Sequence, residues 1–154
     1  MAFSTFISYS TRDLPLANQT KVLLEQSGSH VFLAEYSVLP GSGLSAEIIR
    51  AIKNCDLFLL LWSRNSQSSE WVPQEIGIAK GADKPILPVV LDSSAKLQGF
   101  LKDLKYLPYY EDPGKALAWL HQNVFSRVKK KEQTDGLLWL GIGTAVIWLV
   151  AQRE

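Results

Sequence analysis

The chain has 154 residues, 47% of them hydrophobic, a formal net charge of +1 and a single cysteine. This length can bury one core but is too short for two ordinary domains. The low charge and the scattered basic residues argue against a groove that binds nucleic acid. The lone Cys55 argues against a disulfide-stabilised secreted domain.

The first third of the chain alternates between the spacing of strands and that of helices. Residues 3–8 alternate apolar and polar side chains, and residues 14–28 carry apolar positions at helical spacing, with Gly28 as the candidate end. A short apolar run at 31–33 and a second helical pattern at 45–53 follow. This order predicts two successive strand–helix units.

Two nearly continuous apolar segments occupy the middle of the chain, at residues 56–62 and 85–91. Such segments are typical of parallel strands that helices cover on both faces. Residues 68–81, between them, predict a helix. Pro88 lies within the second segment, and because proline cannot donate to a ladder, we expect it in an edge strand or at the start of a strand.

The next part of the chain predicts a weak helix at 97–101, an edge strand at 106–110 containing Pro108, and a helix at 113–130. The complete order is that of a doubly wound, flavodoxin-like α/β domain with a five-stranded parallel sheet. We expect this domain to occupy residues 1–130.

An uncharged segment at residues 136–151 follows a basic and polar linker at 131–135. As a helix it would be about 24 Å long, slightly short of the roughly 30 Å hydrocarbon core of a bilayer. It is apolar on all sides, with Trp139 and Trp148 near its ends. We expect a single-pass membrane anchor, and the alternative is a helix that packs in the core or in an oligomer.

The basic residues before this segment set its expected orientation. Arg127 and residues 129–131 precede it, so the domain is expected on the cytoplasmic side of the membrane. If the segment does not insert, the whole chain is expected in the cytoplasm.

One motif resembles a dinucleotide-binding loop but has an unsuitable position. Residues 41–46, GSGLSA, match G-x-G-x-x-A, yet they follow the second predicted strand and lack a clearly placed acidic residue about 20 positions later. A flexible loop before a helix is the simpler interpretation. The chain has no P-loop, H-E-x-x-H or cysteine-pair motif, so we expect neither a metal nor a bound cofactor.

Trp71 and Glu75 are four residues apart, which places both on one face of a helix. Because Pro73 suits a first turn, the regular helix is expected to begin near it. Glu75 would then lie in the first turn, where free amides and the helix dipole favour an ionised carboxylate. A glutamate there is also common without any function, and Trp71 suits a core position equally well.

Several segments together resemble the Toll/interleukin-1 receptor (TIR) domain family. Residues 6–10, FISYS, are similar to its first strand, and residues 38–41, VLPG, to the loop after its second strand. Residues 60–63 and 71–76 resemble its third strand and the helix that follows. The similar segments occur in order over residues 1–128.

The resemblance implies that Glu75 is the glutamate with which enzymatic members of the family cleave the nicotinamide–ribose bond of NAD, which is a substrate there and not a cofactor. The residues expected to line the substrate cleft are Ser8, Tyr9, Arg12, Phe32 and Trp71. The first loop has one arginine where some enzymatic members have two. Ala34 stands where many members have an acidic residue, although Glu35 is adjacent.

The resemblance also implies partners. TIR domains associate with one another, and the residues expected in the self-association loop are Tyr36, Ser37, Pro40 and Gly41. One expectation is an NAD hydrolase that self-association activates, in defence or signal transduction. The other is a non-enzymatic adaptor that acts through the same contacts.

Overall fold

A computed structural model of the protein describes residues 2–34 and 43–139, with side chains described as far as Asp135. The strands are β1 (Ser4–Ser8), β2 (His30–Leu33), β3 (Leu57–Trp62), β4 (Ile86–Val90) and β5 (Leu107–Pro108). They form one parallel sheet of five strands in the order β2-β1-β3-β4-β5. The predicted five-stranded parallel α/β sheet is thus confirmed, although β5 is shorter than the strand expected at 106–110.

The helices alternate with these strands. They are α1 (Leu14–Gln26), α2 (Ala46–Asn54), α3 (Arg64–Gln67), α4 (Val72–Gly81) and α5 (Pro113–Trp139), with 3₁₀ turns at Thr11–Asp13 and Gly99–Asp103. Ser45 caps α2 by accepting a hydrogen bond from the Ile48 amide at 3.2 Å. Gly28 follows α1 with a φ of 95°, and a Cβ there would lie 3.0 Å from Val128 Cγ1.

Of the helix expected over residues 68–81, residues 72–81 form α4, and a separate short helix, α3, ends before it at Gln67. Ser63 and Ser66 form a capping box that starts α3. Helix α4 begins at Val72 with Pro73 in its first turn, which confirms the expected start near the proline. A proline has no amide to donate and is therefore suited to that turn.

The sheet is buried on both faces, and β3 is buried along its whole length. On the face covered by α2 and α4, the Phe6 ring stacks between Phe32 and Phe58, at centroid distances of 5.4 and 5.5 Å. On the other face, Ile7 and Leu59 pack beneath α1 and α5. The two cores hold the carboxyl ends of β1 and β3 side by side.

Pro88 lies inside the sheet, because β4 runs between β3 and β5, and the expectation of an edge strand was wrong. The Leu91 amide donates to the Trp62 carbonyl of β3. Since alternate residues direct their amides to opposite neighbours, the Pro88 nitrogen faces the β5 side. There β5 pairs only opposite Val89 and Val90, so the proline breaks no ladder bond.

The last described helix, α5, was expected to end at Lys130, with a linker at 131–135, but it continues to Trp139. Lys131 Nζ contacts both carboxylate oxygens of Asp56, at 3.0 and 2.9 Å. Asp56 also accepts a hydrogen bond from the Ser4 amide. Residues 131–135 are therefore helical, and Lys131 joins them to the amino-terminal end of the sheet.

Most of the predicted membrane anchor, residues 140–151, lies outside the described residues. Among the helices of residues 2–34 and 43–139, none is both long and apolar enough to cross a membrane. The anchor at 136–151 stays a prediction.

Candidate functional site

A buried polar pair lies at the carboxyl end of β1. Ser8 Oγ donates a hydrogen bond of 2.7 Å to Glu75 Oε1, and both side chains are 0% exposed. Ser8 follows Phe6 by two residues, so both point to the face that α4 covers. Strand alternation thus places the serine hydroxyl opposite the first turn of α4, where Glu75 lies.

A buried carboxylate is unusual, because removing an ionised group from water is costly unless other groups compensate. Here two features favour the ionised form of Glu75. The Ser8 hydroxyl donates to it, and the first turn of α4 directs the positive end of the helix dipole toward it. The pair therefore holds a carboxyl group at one fixed point beneath the protein surface.

A polar cleft of about 330 Å³ lies at the same carboxyl edge of the sheet. Its lining residues come from the β1–α1 and β3–α4 connections and are Tyr9, Ser10, Thr11, Arg12, Asn65, Ser68, Ser69, Glu70 and Trp71. Tyr9 directly follows Ser8, and Trp71 precedes Glu75 by one helical turn. The cleft thus contains sequence neighbours of the buried pair, but Ser8 and Glu75 themselves do not line it.

Three of the predicted substrate-binding residues, Tyr9, Arg12 and Trp71, line this one cleft. The Arg12 side chain is exposed and Trp71 is half-buried. The Tyr9 hydroxyl donates to the Ala34 carbonyl at 2.5 Å, which connects the cleft to the end of β2.

The remaining predicted site residues are placed differently. Ser8 and Glu75 do not line the cleft and are closed to solvent. Phe32 stacks on Phe6 in the core between the sheet and α2. The residues of the predicted self-association loop, Tyr36, Ser37, Pro40 and Gly41, lie outside the described residues, as does Glu35.

A second polar cluster was missed by the sequence analysis. Asp13 accepts hydrogen bonds from Ser63 Oγ at 2.6 Å and from Asn65 Nδ2 at 3.0 Å. Ser66 Oγ donates to the Leu61 carbonyl at 2.6 Å. The available signal was that Asp13 and Ser63 each follow the carboxyl end of a predicted strand, and such ends meet at one edge of a parallel sheet.

Metal and thiol chemistry have little support in the part of the chain that the structure describes. No group of three histidine, cysteine, aspartate or glutamate side chains that could hold a metal ion occurs in it. Burial raises the pKa of Cys55 from its usual 9.0 to about 11, so its thiol stays protonated and weakly nucleophilic at neutral pH.

The strand order, the helices on both faces and the polar site at the carboxyl ends define a doubly wound α/β domain of TIR type. A sequence profile described as the TIR domain matches residues 5–121. The chain belongs to the TIR domain family.

Solved structures show the same fold. The TIR domain of the Toll-related receptor TRR-2 from Hydra magnipapillata has a TM-score of 0.64 and 21% identity, over 81% of this chain and 97% of that one. The TIR-STING receptor from C. gigas has a TM-score of 0.55 and 26% identity, over 73% of this chain and 39% of that one. A comparison with curated proteins finds no significant match.

Proposed function

We propose that the protein is an NAD hydrolase that cleaves the bond between nicotinamide and ribose. The observation that carries the proposal is the Ser8–Glu75 pair, a fully buried carboxylate held by a hydroxyl at the carboxyl end of β1. Doubly wound sheets bind their ligands at this edge. The cleft at the same edge contains an arginine for phosphate and an aromatic ring for a base, Arg12 and Trp71.

The reaction needs little from the protein besides a placed negative charge. The bond between the ribose C1′ carbon and the nicotinamide nitrogen breaks, and nicotinamide leaves as a neutral molecule with the electron pair, so no general acid is required. Glu75 stabilises the developing ribosyl cation and accepts hydrogen bonds from ribose hydroxyls. Water then adds at C1′ and loses a proton, which gives ADP-ribose. Attack by the adenine of the same molecule gives a cyclic product.

Access to Glu75 requires a structural change, because its side chain is 0% exposed in the isolated chain. We propose that association of TIR domains through the loop containing Tyr36, Ser37, Pro40 and Gly41 opens the site, in a defence or signalling response. Residues 136–151 would anchor the domain to the cytoplasmic face of a membrane and so raise its effective concentration. A chain that does not insert would act in the cytoplasm at a higher protein concentration.

The first test compares two glutamates that occupy the first turns of two helices. Glu75 lies in the first turn of α4 and is buried, whereas Glu47 lies in the first turn of α2 and is exposed. The full chain is incubated with NAD on liposomes and nicotinamide release is measured by chromatography. We expect Glu75→Gln to lower the rate at least about 100-fold and Glu47→Gln to leave it unchanged. Equal rates for wild type and Glu75→Gln would refute the assignment.

The second test addresses association and the anchor. The full chain in bilayers is compared with a chain truncated after Asp135, which keeps the Lys131–Asp56 contact. At equal total concentration, we expect faster nicotinamide release from the full chain, and a specific activity of the truncated chain that rises with its concentration. Equal rates that do not depend on concentration would contradict activation by association.

A non-enzymatic adaptor is the second candidate, and one observation favours it. The closed, hydrogen-bonded position of Glu75 is also what a structural carboxylate would have. An adaptor would release no nicotinamide at any protein concentration and would signal equally well with Glu75→Gln. It would lose signalling when Pro40 or Gly41 is replaced.

A further inference from the structure

The two walls of the cleft belong to segments far apart in the chain. One wall, Ser10–Arg12, follows β1, and the other, from Asn65 to Trp71, follows β3. Asp13 directly follows the first wall and contacts the segment after β3 through both of its carboxylate oxygens, one to Ser63 at 2.6 Å and one to Asn65, in the second wall, at 3.0 Å. A single carboxylate therefore links the two segments that supply the walls.

The same contact determines how the Asn65 amide is oriented. An ionised carboxylate can only accept hydrogen bonds, whereas a primary amide has a donor side and an acceptor side. The amide nitrogen of Asn65 must therefore face Asp13, as it does. The amide oxygen then points away from Asp13, and this acceptor and the second N–H of the amide are what Asn65, a cleft-lining residue, can offer to a ligand.

We propose that Asp13 is a positioning residue that fixes the Asn65 amide so that its oxygen serves in the cleft as a hydrogen-bond acceptor for ligand groups that donate. Ribose hydroxyls and the amino group of adenine are such groups, and phosphate oxygens are not. Arg12, on the opposite wall, offers only donors and suits the phosphates. This assignment rests on the proposed NAD cleavage for its substrate but not for the Asp13–Asn65 contact itself.

The contact can be tested without any activity, by exchanging the two side chains. Asn65→Asp places two carboxylates against each other and should lower the melting temperature by several degrees. Asp13→Asn alone should have a smaller effect, because the Ser63 hydroxyl can donate or accept. The double variant Asp13→Asn/Asn65→Asp restores a donor–acceptor pair in the reverse direction and should recover most of the loss. Simple addition of the two single effects would overturn the pairing.

The positioning role is tested by kinetics on the full chain in bilayers. Asp13→Ala removes the contact and should raise KM for NAD about tenfold while kcat changes less than about twofold, the pattern of weakened ground-state binding. The exposed Asp103 of the second 3₁₀ turn serves as the control, and Asp103→Asn should change neither value. An unchanged KM for Asp13→Ala would overturn the positioning role.

The two proposals fail separately. If Glu75→Gln does not slow nicotinamide release, the assignment of Glu75 fails, but the exchange of side chains still measures the Asp13–Asn65 pair. If the exchange shows no rescue, Asp13 is not paired as proposed, but the Glu75 experiment still tests the catalytic assignment.

Discussion

The two ends of the central sheet place a carboxyl group in different environments. At the amino-terminal end, Asp56 is paired with Lys131, and their side chains are 29% and 27% exposed. At the carboxyl-terminal end, Glu75 is completely buried and accepts a hydrogen bond from Ser8. One end has a partly solvated ion pair that joins two elements, and the other has a carboxyl group withdrawn from water.

This difference supports the carboxyl end as the place of the proposed reaction. A partly solvated ion pair contributes modestly to stability and needs no further explanation. A buried carboxylate that a hydroxyl contacts is energetically unfavourable compared with an apolar side chain of similar size. Such a group is more easily understood where its charge is used, and in doubly wound sheets ligands bind at the carboxyl end.

The largest effect on stability in this comparison is expected from serine substitutions on β1. Ser8→Ala removes a hydrogen bond to a buried carboxylate and should lower the free energy of unfolding by about 1–3 kcal/mol. Ser4→Ala is the matched control on the same strand, because Ser4 Oγ makes only an exposed contact to the Asn54 carbonyl at 3.3 Å. Ser4→Ala should change the free energy of unfolding by less than about 0.5 kcal/mol. Urea unfolding measures both, and equal effects would remove the distinction between the two ends.

A smaller effect is expected at the amino-terminal end. Lys131→Met removes the charge that pairs with Asp56 but keeps most of the aliphatic side chain, so the free energy of unfolding should fall by about 0.2–1 kcal/mol. The difference from wild type should shrink in 1 M salt, where charges a few ångströms apart are largely screened. A loss that is as large in high salt as in low salt would show that packing, and not charge, explains the contact.

The smallest effect concerns Cys55, which precedes β3 at the amino-terminal end, and appears only at high pH. Burial raises the pKa of the folded thiol from 9.0 to about 11. The thiol of the unfolded chain thus ionises first, and the contribution of Cys55 to stability is present below pH 9 and is lost as the pH rises toward 11. Between these pH values the stability of wild type should fall more steeply than that of Cys55→Ala. If the free energies of unfolding of the two proteins fell equally with pH, burial would not destabilise the thiolate.

Much of the architecture could be predicted, because apolar runs report burial directly. The continuous runs that became β3 and β4 predicted strands covered on both faces, and Pro73 correctly indicated where α4 begins. Strand order is not encoded in such runs, which is why Pro88 was wrongly expected near an edge. The end of α5 was also misjudged, because residues 131–135 are polar and the contact of Lys131 with Asp56 is not visible in the sequence.

The candidate site was predictable only in part, for a related reason. The spacing of four residues from Trp71 correctly put Glu75 on the same helix face. Its buried partner, Ser8, is 67 residues away in the chain. The contact between Asp13 and Asn65 spans 52 residues. A local sequence pattern does not indicate such pairs, because serine, asparagine, aspartate and glutamate are common on most protein surfaces.

The continuous course of α5 has a geometric consequence for whatever follows Trp139. An α-helix turns by about 100° per residue and rises by about 1.5 Å, so the direction in which the chain leaves the domain is set by counting residues from Lys131. One residue inserted after Lys131 would rotate the following segment by roughly a quarter of a turn, whereas seven would nearly restore its original facing. With Lys131 held by Asp56, the helix fixes both the distance and the rotation, relative to the domain, of the helical residues that follow Lys131.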